Sequence, residues 1–196
     1  MFNPPTLSLP SHFKMHCKAY LLACFAASVR AAYNASTVST CNTLAAVLPE
    51  LVVFPEQDVY NSTITSYPFL QLRLHPTCIV RPKSAEDVAA TLKVLRESDC
   101  TNFAVKGGGH NANAGFNNID DGVTIDMQSM SKVELERGHE VARVGAGSVW
   151  QGVYDEVEKQ NRTVLGGRIG VVGVAGFTTG GRVAGLFHLE AVLTQL

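Results

Sequence analysis

Surplus charge is missing from this sequence. Its 16 Lys and Arg stand against 17 Asp and Glu, a formal net charge of -1. That balance leaves no basic footprint, so nucleic acid and an anionic membrane surface are not expected partners. Apolar runs are short: the longest leader-like one, Ala19 to Val29, has about eleven residues, against roughly 20 needed to cross a bilayer. Trp150 is the only Trp, so no aromatic platform for sugars is visible. No Gly-Lys-Ser/Thr closes a Walker loop. No His/Cys spacing suits zinc, and no metal is assigned. Cys is absent after Cys100. What remains is 46% hydrophobic, enough for a packed core, and carries 17 Gly, many of them between Lys106 and Gly181. Clustered Gly marks backbone that needs positive φ or lies close against something else.

The first 31 residues read as a secretory signal peptide. Lys14, His16 and Lys18 precede the apolar run, and Val29-Arg30-Ala31 fits the small-residue rule for a cut after Ala31. Met15 is an alternative start, because Pro4, Pro5 and Pro10 sit awkwardly ahead of the basic part. Sequons at Asn34, Asn61 and Asn161 agree with a secreted glycoprotein. Removing the leader takes away Cys17 and Cys24 and leaves Cys41, Cys78 and Cys100, so one disulfide and one thiol are expected. The expected pair is Cys41 with Cys100, both on polar helix-like stretches, while Cys78 in Thr77-Cys-Ile-Val80 reads as a buried thiol.

Along the mature chain the pattern predicts a short helix over 43–51 and a loop-rich lead-in to residue 75 broken by Pro55 and Pro68. A strand at 78–80 follows, then a helix over 85–97 capped by Ser84-Ala-Glu-Asp87, with Val88, Leu92 and Leu95 on its apolar face. Strands are expected at 103–105, 123–127, 132–135 and 140–144, and a second helix at 150–159. Interleaved helices and strands give an α+β class. Asp120-Asp-Gly122 reads as a turn and Asp126 as an outward-facing strand residue.

Three glycine segments carry the chemistry. Lys106-Gly-Gly-Gly-His110-Asn111 to Gly115 follows a strand, and its bare N–H groups can cradle phosphate oxygens. His110 is either a turn histidine or a ligand-facing group. Val144-Gly-Ala-Gly-Ser148 resembles the start of a dinucleotide fingerprint, but Trp150 holds the third glycine position. Gly166 to Gly181 either passes flat against a planar ligand or forms a turn-rich strand pair packed in a core.

In order, Gly-Gly-Gly-His, Gly-Ala-Gly-Ser-Val-Trp and Gly-Gly-Arg-x-x-x-Val-Gly-Val-x-Gly-x-x-x-Gly-Gly resemble the FAD-binding domain of the secreted FAD-linked oxidases. These form the berberine-bridge-enzyme-like branch of the p-cresol methylhydroxylase (PCMH) and vanillyl-alcohol oxidase superfamily. Pro76-Thr-Cys-Ile-Val-Arg-Pro-Lys-Ser84 fits too, and the resemblance runs from about Val52 to Gly181. It implies a PCMH-type FAD-binding domain over 76–181, after the signal peptide at 1–31 and a lead-in at 32–75. Its cofactor contacts fall on Lys106, Gly107, Gly108, Gly109, His110, Asn111 and Gly115. Further contacts fall on Gly145, Ser148, Gly167, Val172, Gly173, Val174, Gly176 and Gly180. It also implies a covalent link from His110 to the flavin 8α carbon. Where many relatives place a second, Cys link, Ile169 stands here, so one link is the most this chain makes. In intact relatives a small-molecule substrate passes hydride to flavin and O2 reoxidises it. Arg182 departs from the family's third Gly and residues 182–196 diverge, so an incomplete domain without its substrate region is expected, as a monomer. The alternatives are a secreted binding module with glycine-rich rims and a non-functional truncation product.

Overall fold

A computed structural model describes residues 35–98, 102–136, 138 and 140–181. The expected leader, the Asn34 sequon, Cys100 and the divergent tail lie outside the described residues. Residues 37–196 form one compact unit; of the other, 1–36, only 35 and 36 are described.

The first helix, α1, covers 35–47, starting earlier than its apolar spacing suggested. The lead-in is more ordered than its prolines implied. It holds strand β1 (Val52–Val53), helix α2 (Asp58–Thr65) and a 3-10 turn (Leu70–Leu72). Strand β2 (Cys78–Val80) and helix α3 (Ala85–Glu97) follow as expected. The capping box forms: Asp87 N–H donates to Ser84 Oγ at 3.2 Å, and Ser84 N–H donates to the Asp87 carboxylate at 3.0 Å. The buried face of α3 is Thr91, Val94 and Leu95, while Leu92 is 45% exposed. The expected Val88-Leu92-Leu95 stripe is therefore rotated: a β-branched Thr takes the sheet-facing place and donates its hydroxyl to Asp87 O at 2.8 Å.

Strands β3 (Phe103–Lys106) and β4 (Val123–Asp126) complete a sheet of order β1-β2-β4-β3. Both β2 and β3 run parallel to β4, with Lys106 opposite Asp126, and β1 is antiparallel to β2. Parallel neighbours cannot be joined by a tight turn. The chain must return from the carboxyl end of β3 to the amino end of β4, and residues 107–122 make that return. Alternation sorts the core: Val52, Cys78, Val80, Val123 and Ile125 pack with α1 and α3, while Val53 and Ile79 pack with Tyr60 and Ile64 of α2.

Cys41 pairs with Cys78, not with Cys100. The "buried thiol" position is half of the bridge, because α1 lies directly on β2 and both residues are fully buried. The sequence pattern places Cys41 on a polar helix-like stretch, and only the packing of that helix on β2 sets its inward face.

Beyond a 3-10 turn (Met127–Ser129), strands β5 (Val133–Glu136) and β6 (Val141–Val144) form an antiparallel hairpin. Its apolar side packs with Trp150, Val153 and Val157 of α4 (Trp150–Glu158) and with Val174 of α5 (Val174–Thr179). The last glycine segment is thus a turn leading into a short helix, not a strand pair.

Candidate functional site

The three glycine segments meet. A Cβ on Gly108 would stand 2.5 Å from Gly173 N and 2.7 Å from Gly173 Cα, so the two backbones touch where only glycine fits. A Cβ on Gly107 would reach Ala146 O at 3.5 Å, which brings in the middle segment. That segment is stitched to the last one: Trp150 N–H donates to Val172 O at 3.0 Å, Gln151 N–H to Gly170 O at 2.9 Å and Val174 N–H to Ser148 O at 2.9 Å. Between these bonds Val149 and Gly173 pair as an isolated bridge.

Gly109 is left-handed at φ 71, a conformation L side chains avoid. Among the described residues no acceptor is found for the N–H groups of Gly108, Gly109 and His110. Ser148 is 2% exposed and its Oγ has no partner among the described residues. His110 is half-buried, with its imidazole 6.4 Å from the Phe69 ring, centroid to centroid.

Other expected contacts face the protein's own chain or solvent. Gly145 N–H donates to Lys132 O at 2.8 Å, and a Cβ on Gly145 would collide with Met130 O. Gly167 packs flat on the Trp150 indole, where a Cβ would lie 2.6 Å from Cδ1. Gly115 (φ 85) is exposed with open space around it, Gly176 sits on the exposed side of α5, and Gly180 closes that helix. Asn111 is exposed, but its carbonyl accepts from Asn117 Nδ2 at 2.9 Å.

Lys106 turns its side chain into the fold. At 1% exposure its ammonium lies 3.7 Å from Asp126 Oδ2, donates to Ser66 Oγ at 3.1 Å and sits 4.4 Å from the Tyr67 ring centroid. Asp126, expected to face outward, is 1% exposed. Lys106 and Asp126 sit opposite each other in the β3–β4 register, on the face covered by the end of α2. A strand read alone cannot show which of its faces is covered. Burial holds the Lys106 ammonium below the usual lysine range, opposed by Asp126 and reinforced by the Arg81 charge. The Tyr67 hydroxyl is pushed well above the usual phenol range by burial, with the Asp126 charge adding to it. Sequence reading missed Ser66, Tyr67 and the Asn117-Asn118 pair. Asn118 is 1% exposed and bonds Leu72 O, Leu74 O and Thr124 Oγ1 at 2.8–2.9 Å, tying the return loop to the lead-in. Two consecutive Asn in a glycine-rich crossover were the available signal.

Residues 76–192 match the family described as FAD binding domain. The chain belongs to it. Its cofactor is FAD, and the family is one of FAD-dependent oxidoreductases. The chain is 45% identical over 122 residues to the FAD-dependent monooxygenase tpcD of Cochliobolus heterostrophus, covering 62% of this chain and 23% of that protein. It is 34% identical over 153 residues to the FAD-dependent monooxygenase sdcF of Emericella nidulans, covering 78% and 32%. Among solved structures it resembles the glucooligosaccharide oxidase of Acremonium strictum, described as having a novel flavinylation. That match has 26% identity and a TM-score of 0.61, over 72% of this chain and 29% of that one. The chain therefore spans about a quarter to a third of the length of these curated relatives. The PCMH-type fold that the family resemblance implies is present, as a mixed α/β domain.

Proposed function

We propose that this chain is the flavin-holding part of a secreted FAD-linked oxidase, with the diphosphate on the Gly108 and Gly109 amides and one covalent bond from His110. The observation that carries this reading is the junction of Gly108 with Gly173. It brings a run of bare N–H groups, the partnerless Ser148 hydroxyl and a half-buried imidazole to one place. The fit is chemical: unpaired N–H donors on glycine suit anionic oxygens, and a buried hydroxyl without a partner is costly unless a ligand meets it. FAD held there would supply two-electron redox chemistry, with hydride taken from a substrate and two electrons and two protons delivered to O2 as H2O2. The protein's part would be to hold the diphosphate, exclude water from the junction and present the His110 imidazole to the flavin 8α carbon, which would give up a proton as the N–C bond forms and leave reduced flavin for O2 to reoxidise. Ile169 is 57% exposed and offers no second link.

The Cys41–Cys78 bridge supports an exported chain, since such bonds persist in oxidising compartments. The expected leader at 1–31, exposed sequons at Asn61 and Asn161, and a small-molecule substrate complete the proposal. A second reading, oxygen insertion, is favoured by the monooxygenase names of the relatives. Labelled oxygen separates the two: it ends in H2O2 for an oxidase and in product for a monooxygenase.

The test is colour. Expressed with FAD, the chain should stay yellow after acid precipitation, and His110→Ala should release the flavin. A wild-type chain that takes up no flavin overturns the reading.

A further inference from the structure

We infer that Tyr67, from the lead-in before the flavin motifs, is a positioning residue that clamps both ends of the Gly107–His110 loop. The role rests on the flavin reading of His110 for its consequence, but not for its geometry. Lys106 and Asn111 bracket the loop. On the first side, the Tyr67 ring lies under the Lys106 ammonium at 4.4 Å, and a Cβ on Gly109 would reach the same ring at 3.5 Å. On the second side, the Tyr67 hydroxyl donates to Asn117 O at 2.7 Å, and Asn117 Nδ2 donates to Asn111 O at 2.9 Å. Two residues further on, Phe69 sets its ring beside the His110 imidazole.

The clamp answers a physical need. A loop of three consecutive glycines has more conformations to lose than any other, so a fixed imidazole beside it requires restraint from outside. Tyr67 supplies that restraint rigidly, because it is 1% exposed and a phenol has few rotamers. Its hydroxyl has no water to fall back on, and breaking the bond leaves a buried donor and acceptor unpaired. The segment that fixes His110 therefore lies about forty residues upstream of it.

The two sides are separable by mutation. Tyr67→Phe keeps the ring under Lys106 and cuts only the link to Asn117, whereas Asn117→Ala cuts the next link in the same chain. Backbone 15N order parameters of the full 196-residue chain without flavin are the first readout. Across residues 110–117 they should stand near the rigid value of about 0.85 in the wild type and fall below about 0.6 in each variant. Residues of α3 and α4 should keep wild-type values. The double variant should fall no further than either single, because both cut one chain. With FAD added, covalent attachment should slow by about tenfold, the size one buried hydrogen bond gives a local opening equilibrium, while the Kd for non-covalent FAD stays within about twofold, since the diphosphate sits on the unaffected side. A merely structural loss would weaken both together.

Wild-type order parameters across 110–117 in either single variant, or additive effects in the double, overturn the clamp. If Tyr67→Phe fails to accumulate, Asn117→Ala decides alone by the same order parameters. A wild-type chain without flavin counts against the His110 attachment, while the order parameters still decide the clamp.

Discussion

Gly108→Ala is the substitution that most directly tests the junction. The new methyl carbon would lie 2.5 Å from Gly173 N, whereas ordinary contact begins at 3.4 Å, so the backbones must part by about 0.9 Å. No rotamer change relieves this, because the atoms met first are main chain. The opposing segment is held on either side by Trp150 N–H to Val172 O and Val174 N–H to Ser148 O. Overpacking costs roughly 1–3 kcal/mol, and a clash with restrained backbone belongs at the upper end, about 2–3 kcal/mol. For a chain of this length that lowers Tm by about 5 to 10 °C. The controls are built in. Gly107→Ala meets its nearest neighbour at 3.5 Å, an ordinary contact, and should shift stability by less than about 0.5 kcal/mol. Gly176→Ala lies inside α5 with open space around it and should stabilise by about 0.5–1 kcal/mol. Thermal melts of the three variants, with flavin uptake measured beside them, give the answer. If Gly108→Ala melts with Gly107→Ala and takes up flavin as the wild type does, the two loops do not touch as described.

The remaining predictions concern what supports that junction. Lys106→Met leaves the Asp126 carboxylate buried and unpaired, and denaturant unfolding should show a loss of about 3–5 kcal/mol, partly recovered in Lys106→Met/Asp126→Asn. Lys106 is held below its ordinary 10.5, so the unfolded chain binds more protons between the two values. Its contribution to stability is complete above 10.5 and is lost as pH falls through the folded value; Lys106→Met should lack that slope. Tyr60 has the opposite sign: burial, then Asp120 and Glu56, push it up to about 12. Its contribution is therefore complete below pH 10 and lost as pH rises through 12, and stability measured over that window should flatten in Tyr60→Phe. Reducing the Cys41–Cys78 bridge, 37 residues apart, should cost about 4 kcal/mol by loop entropy, read as a lower Tm in reductant; an unchanged melt would remove the bridge from the account.

The legible parts of this molecule are those where a local pattern decides the outcome. Ser84-Ala-Glu-Asp87 caps a helix because both hydrogen bonds run within four residues, and strands 78–80 and 103–106 follow from their own apolar runs. The convergence of the glycine segments was legible only through family resemblance, since nothing within Gly107–Gly109 names Gly173 as its neighbour. What escaped was decided by cover. Asp126 is an ordinary polar strand end until the last turn of α2, with Ser66 and Tyr67 behind it, closes over that face of the sheet. Cys41 reads as part of a polar helix-like stretch until α1 lies on β2. Both errors arise in the lead-in, whose prolines suggested loop and whose few apolar residues concealed a helix. Yet that lead-in supplies the ring beneath Lys106 and the hydroxyl that reaches Asn117. The order of the return loop, and with it the place of His110, therefore depends on residues that carry no flavin motif of their own.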